Sequence, residues 1–427
     1  MPGPLRDAPQ PVSIIDRYSA LTPLAECEGR MAISKTIREQ MKESSWIRRM
    51  FEEGTEMRRK HGADKVFDLS LGNPVLEPPT EFRTELMRIA QDETPGTHRY
   101  MPNTGYAETR AAVAKTLAAE TGMSFTAGEI LMTCGAAGAL NVTLRSILDR
   151  GDEVVIFAPY FAEYIFYIQH NGGVMKVAQC DSGFQPDVAS LAAALTARTR
   201  AVIINSPNNP TGVIYPASII AAIGEAISAA EKTFGTEIYL IADEPYRKLI
   251  YSGQEYPFVY KYHQRSIVAT SHSKDLGLAG ERIGYIAVNP GCPDKSELLE
   301  AAVFANRTLG FVNAPAIMQR IVARMQGASV DVDEYRKKRD FLYGALTGIG
   351  YECVKPEGAF YMFPKSPLPD DRDFIRLLQS KFVLCVPGVG FGTPGYFRIS
   401  YCVDDRTLKG CVPGFREAFD EAKTMRR

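Results

Sequence analysis

The chain has 427 residues, 45% of them hydrophobic and 23% charged, the composition of a soluble globular protein with about two to three domains' worth of core. Its formal net charge of −1, with no basic block, argues against nucleic-acid binding through a charged patch, and no stretch approaches the ~18 apolar residues of a membrane helix. The eight cysteines form no CxxC pair and no histidine cluster accompanies them, so free thiols are expected rather than a zinc site or a disulfide frame.

The opening stretch, MPGPLRDAPQPVSIIDRY, has prolines and charges where a signal peptide needs an apolar run, which makes the cytoplasm the default location. Residues 1 to about 30 read as an extended arm, and Ser34 to Arg59 as one strongly charged helix. No segment repeats with a period of 20 to 50 residues, so a solenoid is not expected. From about residue 80 helices and strands alternate. ETRAAVAKTLAAETG reads as a helix, and AGALNVTLRSILDRG as another, closed by Gly151. EVVIFAP is a short apolar run and therefore a buried strand; DVASLAAALTAR is helical, RAVIINSP a strand, PASIIAAIGEAISAAEKTFG a helix and EIYLIADEP a strand. SIVATS and RIGYIAV are further strands, helices dominate residues 293–350, and GAFYMFP, FVLCVPG and YFRISYCV are short strands near the end.

Apolar strands interleaved with amphipathic helices predict an α/β fold with a largely parallel sheet covered on both faces. The expected division is an N-terminal arm and helix over 1–79, a large domain over 80–325 and a smaller α+β domain over 326–427, with the N-terminal helix packing on the small domain.

Ligands of open α/β sheets bind beyond the carboxyl ends of the strands. The residues at those places are SPNNPTG after RAVIIN, Asp243 and EPY after IYLIA, Lys274 after SIVATS, and PYF after EVVIFA. A lysine that condenses with an aldehyde cofactor needs such company. Pyridoxal phosphate requires the amine, an acid facing the pyridine nitrogen to favour its protonated form, donors for the ring hydroxyl, and a phosphate cradle of small residues at a helix start with hydroxyls and an arginine. Lys274 supplies the amine and Asp243 the acid; Asn209 and Tyr246 are the donors. CGAAGALN opens a helix with small residues, while Ser271, Ser273 and Arg282 add hydroxyls and charge.

From VFDLSLGNP to YFRISY the chain resembles the class I/II aminotransferases of the aspartate aminotransferase fold, fold type I pyridoxal phosphate enzymes. NNPTG, ADEPY, SHSKDLGLAGERIGY and FRISY carry the resemblance, specific together and in this order. It implies a large domain with a mostly parallel seven-stranded sheet and a smaller domain from both termini. It implies that Lys274 carries the cofactor and moves the substrate α-proton, with Asp243 on the pyridine nitrogen and Tyr246 and Asn209 on the ring oxygen. It implies that Phe161 stacks on the ring and that Ala136 and Ala137 bind phosphate through backbone N–H groups with Ser271, Ser273 and Arg282. Tyr100 is similar to the tyrosine that reaches the phosphate across a homodimer interface. Arg398 would take the substrate α-carboxylate bidentately, with Gly72 lending an N–H.

Two departures bear on specificity. GAAG lacks the hydroxyl that many members carry in the phosphate-binding turn. Ala137 replaces a lysine that holds the substrate side-chain carboxylate in one branch of aspartate aminotransferases. Arg307, from a partner subunit's loop, is the candidate replacement, and Trp46, Tyr164 and nearby aromatics could instead line an aromatic side-chain pocket. The expected reaction transfers an amino group from an L-amino acid, aspartate or aromatic, to a 2-oxo acid such as 2-oxoglutarate. Carbon–sulfur β-lyases and decarboxylases on the same fold remain the alternative. A regulatory protein is not expected, because only about 70 residues precede LGNP and no basic recognition helix is evident among them.

Overall fold

The computed structural model describes residues 33–43 and 46–425; the proline-rich arm read from residues 1–30 lies outside them. The chain separates into the units Met1–Ser44 and Ser45–Arg427. In the first, the described residues hold the helix Lys35–Glu43. The first element described in the second is the helix Trp46–His61, so the helix expected over Ser34–Arg59 is described in two stretches, Lys35–Glu43 and from Trp46 onward.

The second unit is built around seven strands: β1 (Ile130–Thr133), β2 (Glu153–Ala158), β3 (Val174–Gln179), β4 (Thr199–Asn205), β5 (Tyr239–Asp243), β6 (Ser266–Ser271) and β7 (Gly284–Val288). Their order across the sheet is β1-β7-β6-β5-β4-β2-β3. The neighbours from β6 to β3 run parallel, and only β7 runs against its two neighbours. β2, β5, β6 and β7 are buried along their whole length, which fits the apolar residues at their centres. β1 and β3 were not picked out in the sequence. β1 has four residues, and β3 is an edge strand with mostly exposed or half-buried side chains, so neither presents a long apolar run.

Two apolar layers flank the sheet, one including Val202, Leu240 and Val268 and the other Ile203, Ile241 and Ile267. Successive residues of one strand thus serve opposite layers, as the pleat requires. Each fully buried Leu or Ile contributes about 1.5–3 kcal/mol relative to an exposed one. Helix ends follow local chemistry: Asp187 accepts a hydrogen bond from the Ala189 N–H to cap Val188–Ala194, and Gly235 closes Ala217–Phe234 in the left-handed conformation. The helix expected to end at Gly151 is Gly135–Ile147 and ends earlier. Leu148 turns extended and buries its side chain in the core, while Gly151, at φ +95°, serves the turn into β2.

Phe67–Asp68 pairs in parallel with Val383–Leu384, joining the segment after Trp46–His61 to the C-terminal part of the chain. A further small sheet sets Val386–Pro387 and Tyr361–Met362 antiparallel on either side of Phe397–Ser400, and the helix Asp405–Met425 closes the chain. Among the described residues no helix is long and apolar enough to cross a membrane.

Candidate active site

β4, β5 and β6 lie side by side and parallel, so their carboxyl ends share one rim of the sheet. Asn205, Asp243 and Ser271 are the last residues of these strands. A cavity of about 330 Å³ opens there. Asn209, Asp243, Tyr246, Ser271, Ser273 and Lys274 all line it. The short β-to-loop transitions read in the sequence thus become one concave surface.

Asp243 sits on its floor, 5% exposed. One carboxylate oxygen, Oδ2, accepts a hydrogen bond from the Tyr164 hydroxyl at 2.6 Å, and the other, Oδ1, is buried without a partner. Burial pushes this carboxyl up to about 7, against which the Tyr164 hydrogen bond works. An unpartnered carboxylate oxygen inside a cavity suits a protonated ring nitrogen, which supplies both a proton and a charge.

Lys274 reaches into the cavity, and its Nζ donates to the Gly72 carbonyl at 2.8 Å. Burial lowers this amine to about 8, with Arg282 and Arg398 adding to the effect and Cys402 opposing it. A larger share of the side chain is therefore the neutral, nucleophilic amine at neutral pH than in a free lysine.

The helix Gly135–Ile147 points its N-terminus at the cavity, where Ala136 and Ala137 line the wall. No side chain caps that end, so its first N–H groups are left for a ligand. Gly135, at φ +72°, has another reason to lack a side chain: a Cβ there would lie 3.0 Å from Arg282 Nη2. Arg282 itself holds a left-handed backbone at φ +51° and donates to the Ala279 carbonyl at 2.8 Å. Uncapped amides, two serine hydroxyls and a guanidinium form an anion cradle.

Arg398 is 2% exposed and lines the cavity from the strand Phe397–Ser400 of the small sheet. Its Nη1 donates to Asn209 Oδ1 at 3.0 Å, its Nη2 to the Ser70 carbonyl, and its Nε has no partner. Gly72 also lines the cavity. A buried guanidinium with an unused N–H fits a small carboxylate. Amine, buried acid, anion cradle and carboxylate site together match the demands of the cofactor and substrate expected from the sequence.

Phe161 lines the cavity and meets Tyr164 edge-on, ring centroids 5.5 Å apart. Two expected residues are not in this set. Tyr100 is 90% exposed and does not line the cavity. Arg307 is exposed and rests 5.5 Å from the Phe304 ring, also away from the lining. The side chain of Trp46 lies outside the described residues. Tyr164 is not part of a substrate side-chain pocket: it is 2% exposed, and its hydroxyl is used up on Asp243.

Sequence reasoning did not assign that partnership, nor Tyr361, Tyr167 and Glu163 in the cavity wall. Tyr164 had a signal, since it stands three positions after Phe161, close to one helical turn. Replacing Tyr164 with phenylalanine should lower kcat by about 10- to 100-fold, because a hydrogen bond to a charged group contributes about 1.5–3 kcal/mol. Steady-state kinetics check this, and kcat within twofold of wild type would remove Tyr164 from the machinery.

A family model described as aminotransferase class I and II matches residues 64–412. A probable aspartate/prephenate aminotransferase of Thermus aquaticus is 34% identical over 372 residues, covering 85% of this chain and 93% of that protein. The aspartate aminotransferase of Thermotoga maritima is 31% identical over 355 residues, covering 82% of this chain and 90% of that one. Among solved structures, an amino transferase of Eubacterium rectale superposes with a TM-score of 0.88 at 39% identity, covering 92% of this chain and 99% of that one. The aspartate aminotransferase of Thermus thermophilus with maleate gives 0.81 at 27% identity, covering 91% of this chain and 100% of that one.

Proposed function

We propose, for a chain that belongs to the class I and II aminotransferases, that the cavity at the ends of β4, β5 and β6 is the site of amino-group transfer from an L-amino acid to a 2-oxo acid. The observation that carries this is that one cavity holds both the half-buried Lys274, its amine lowered to about 8, and the unpartnered Asp243 oxygen. When bound, pyridoxal phosphate supplies an aldehyde that captures amines and a ring that withdraws electrons from the substrate α-carbon.

The chain's residues divide the remaining work. The amides at Ala136 and Ala137, the Ser271 and Ser273 hydroxyls and Arg282 would hold the phosphate. Asp243 would pair with the ring nitrogen, Asn209 and Tyr246 with the ring oxygen, and Phe161 with a ring face. Arg398 and the Gly72 N–H would orient the substrate by its α-carboxylate. Lys274 would hold the cofactor through its aldehyde and would move the substrate α-proton, as base at the α-carbon and as acid on the return. The second oxo acid recharges the enzyme, which gives a two-stage cycle.

The same proposal includes a homodimer, with Tyr100 completing the site of a second copy; its 90% exposure here supports that. It also includes the division into a cofactor-binding domain over 80–325 and a smaller domain from both ends of the chain, supported by the pairing of Phe67–Asp68 with Val383–Leu384.

For the amino donor, the names of the Thermus aquaticus and Thermotoga maritima relatives support aspartate. Aspartate needs a cation for its second carboxylate, and the cations lining the described cavity are Lys274, Arg282 and Arg398, each with another task. Arg307 of a second copy is the proposed supplier. The walls favour a second reading, an aromatic donor, because Tyr167 and Tyr361 line the cavity and Ala137, also in the lining, carries no charge.

A half-reaction screen separates the two. Each L-amino acid is added alone to the holoenzyme, and loss of the visible absorption of the Lys274-bound cofactor is recorded. Aspartate and glutamate should convert it if Arg307 serves the partner site, phenylalanine and tyrosine if the walls decide. Failure of every amino acid would defeat the proposal. Pyruvate and ammonia released from β-substituted amino acids without an acceptor would move the chain to the lyases.

A further inference from the structure

Tyr361 touches both halves of the site. It is 3% exposed and lines the cavity. Its hydroxyl stands 2.9 Å from that of Tyr246. Its ring lies against the Arg398 guanidinium, 4.8 Å from the ring centroid, with Phe391 also against that guanidinium at 4.9 Å. Gly72 makes the placement feasible, since a Cβ at that position would fall 2.0 Å from the Tyr361 hydroxyl. Phe360 and Tyr246, with ring centroids 5.0 and 5.6 Å away, brace the ring.

Counting protons gives the direction of the hydrogen bond between the two tyrosines. A phenol has one proton to donate. Where Tyr246 gives its proton to the ring oxygen of the bound cofactor, it has none for Tyr361. Tyr361 must then donate to Tyr246. A donor on an acceptor oxygen polarises that hydroxyl and strengthens its own donation.

We propose that Tyr361 is a positioning residue that acts through Tyr246, its hydroxyl aiming and strengthening the hydrogen bond from Tyr246 to the cofactor's ring oxygen, while its ring separately supports Arg398. This rests on the role given to Tyr246 above. Both phenols keep their protons at neutral pH: burial pushes Tyr361 up to about 12 and Tyr246 well above its usual range. The titratable and charged groups around them are Asp243 and Arg398 beside Tyr246, Arg398 and Cys402 beside Tyr361, and Arg282, Arg398 and Cys402 facing Lys274.

The test is a pH titration of the visible absorption of the holoenzyme, with steady-state kinetics alongside, for wild type, Tyr361→Phe, Tyr246→Phe and the double variant. Donation to the ring oxygen lowers the proton affinity of the lysine–cofactor linkage, so losing the Tyr361 hydroxyl should raise the titration midpoint by roughly 0.3–1 pH unit. The phenylalanine ring still supports Arg398, so KM should stay within about twofold, whereas Tyr361→Leu should raise KM by roughly 3- to 10-fold. In the Tyr246→Phe background the Tyr361→Phe change should shift the midpoint no further. A Tyr361→Phe midpoint equal to wild type would overturn the proposal. So would an equal shift in the Tyr246→Phe background, because the effect would then bypass Tyr246. A wild-type holoenzyme without a visible band would instead overturn the cofactor reading beneath it, and the proposal with it.

Discussion

Replacing Lys274 with alanine is expected to abolish the visible absorption of the covalently held cofactor and to lower amino-group transfer by at least about 10⁴-fold. Two functions are lost with one amine: capture of the aldehyde and proton transfer at the α-carbon. No other lysine lines the cavity among the described residues, so no neighbour can substitute. The loss is chemical rather than structural, because Lys274 makes one hydrogen bond, to the Gly72 carbonyl, and one ring contact, 5.4 Å from the Phe360 centroid, and neither belongs to a helix or a strand ladder. Thermal melting of the variant without cofactor should therefore match wild type within a few degrees. The decisive measurement is reduction of the holoenzyme with borohydride followed by mass analysis. Cofactor mass on the Lys274→Ala chain would show that another residue is the anchor and would defeat the assignment.

The second large effect is expected at Asp243. Exchange for asparagine keeps the shape and the Tyr164 contact but removes the charge that favours a protonated ring nitrogen. Breaking a buried ion pair costs about 3–5 kcal/mol, which corresponds to roughly 10²–10⁴ in rate when the charge is needed in the transition state. Cofactor dissociation should also become faster. Stability should move the other way in the cofactor-free protein. Burial raises the Asp243 carboxyl to about 7, above the ~3.9 of an unfolded chain, so the native state holds the proton more tightly. Ionising it costs stability progressively as pH rises from ~4 to about 7, and the full cost is present above that. Asparagine removes this cost, so the cofactor-free Asp243→Asn protein should melt at or above the wild-type temperature at pH ~8, although its activity collapses. A variant with transfer rates within threefold of wild type would exclude the nitrogen-pairing role.

Asn209, Asp243 and Lys274 were legible because each lies at, or within four residues of, the end of a strand whose apolar residues report it. Arg282 and Ala136 were legible from small-residue and glycine-rich turns that bracket them. Tyr361 left no such trace. It meets Tyr246 across 115 positions, and its sequence surroundings read only as a short strand. Tyr164 lies 79 positions from Asp243, and an aromatic at a helix start reads equally well as core or pocket wall.

By itself the sequence determined the α/β class, the succession of buried strands and which polar and ionisable side chains stand near their ends. These depend on local periodicity and on which side chains follow each run, and both are written within a few residues. Only the tertiary structure decided which way β7 runs, that β3 closes the sheet edge, that Asp243 has a tyrosine partner and that Arg398 lies against an aromatic ring. Those features depend on contacts between residues far apart in the chain, chosen by how the two core layers and the C-terminal strands pack. Hydrophobic periodicity records that a face is buried, but not what it is buried against.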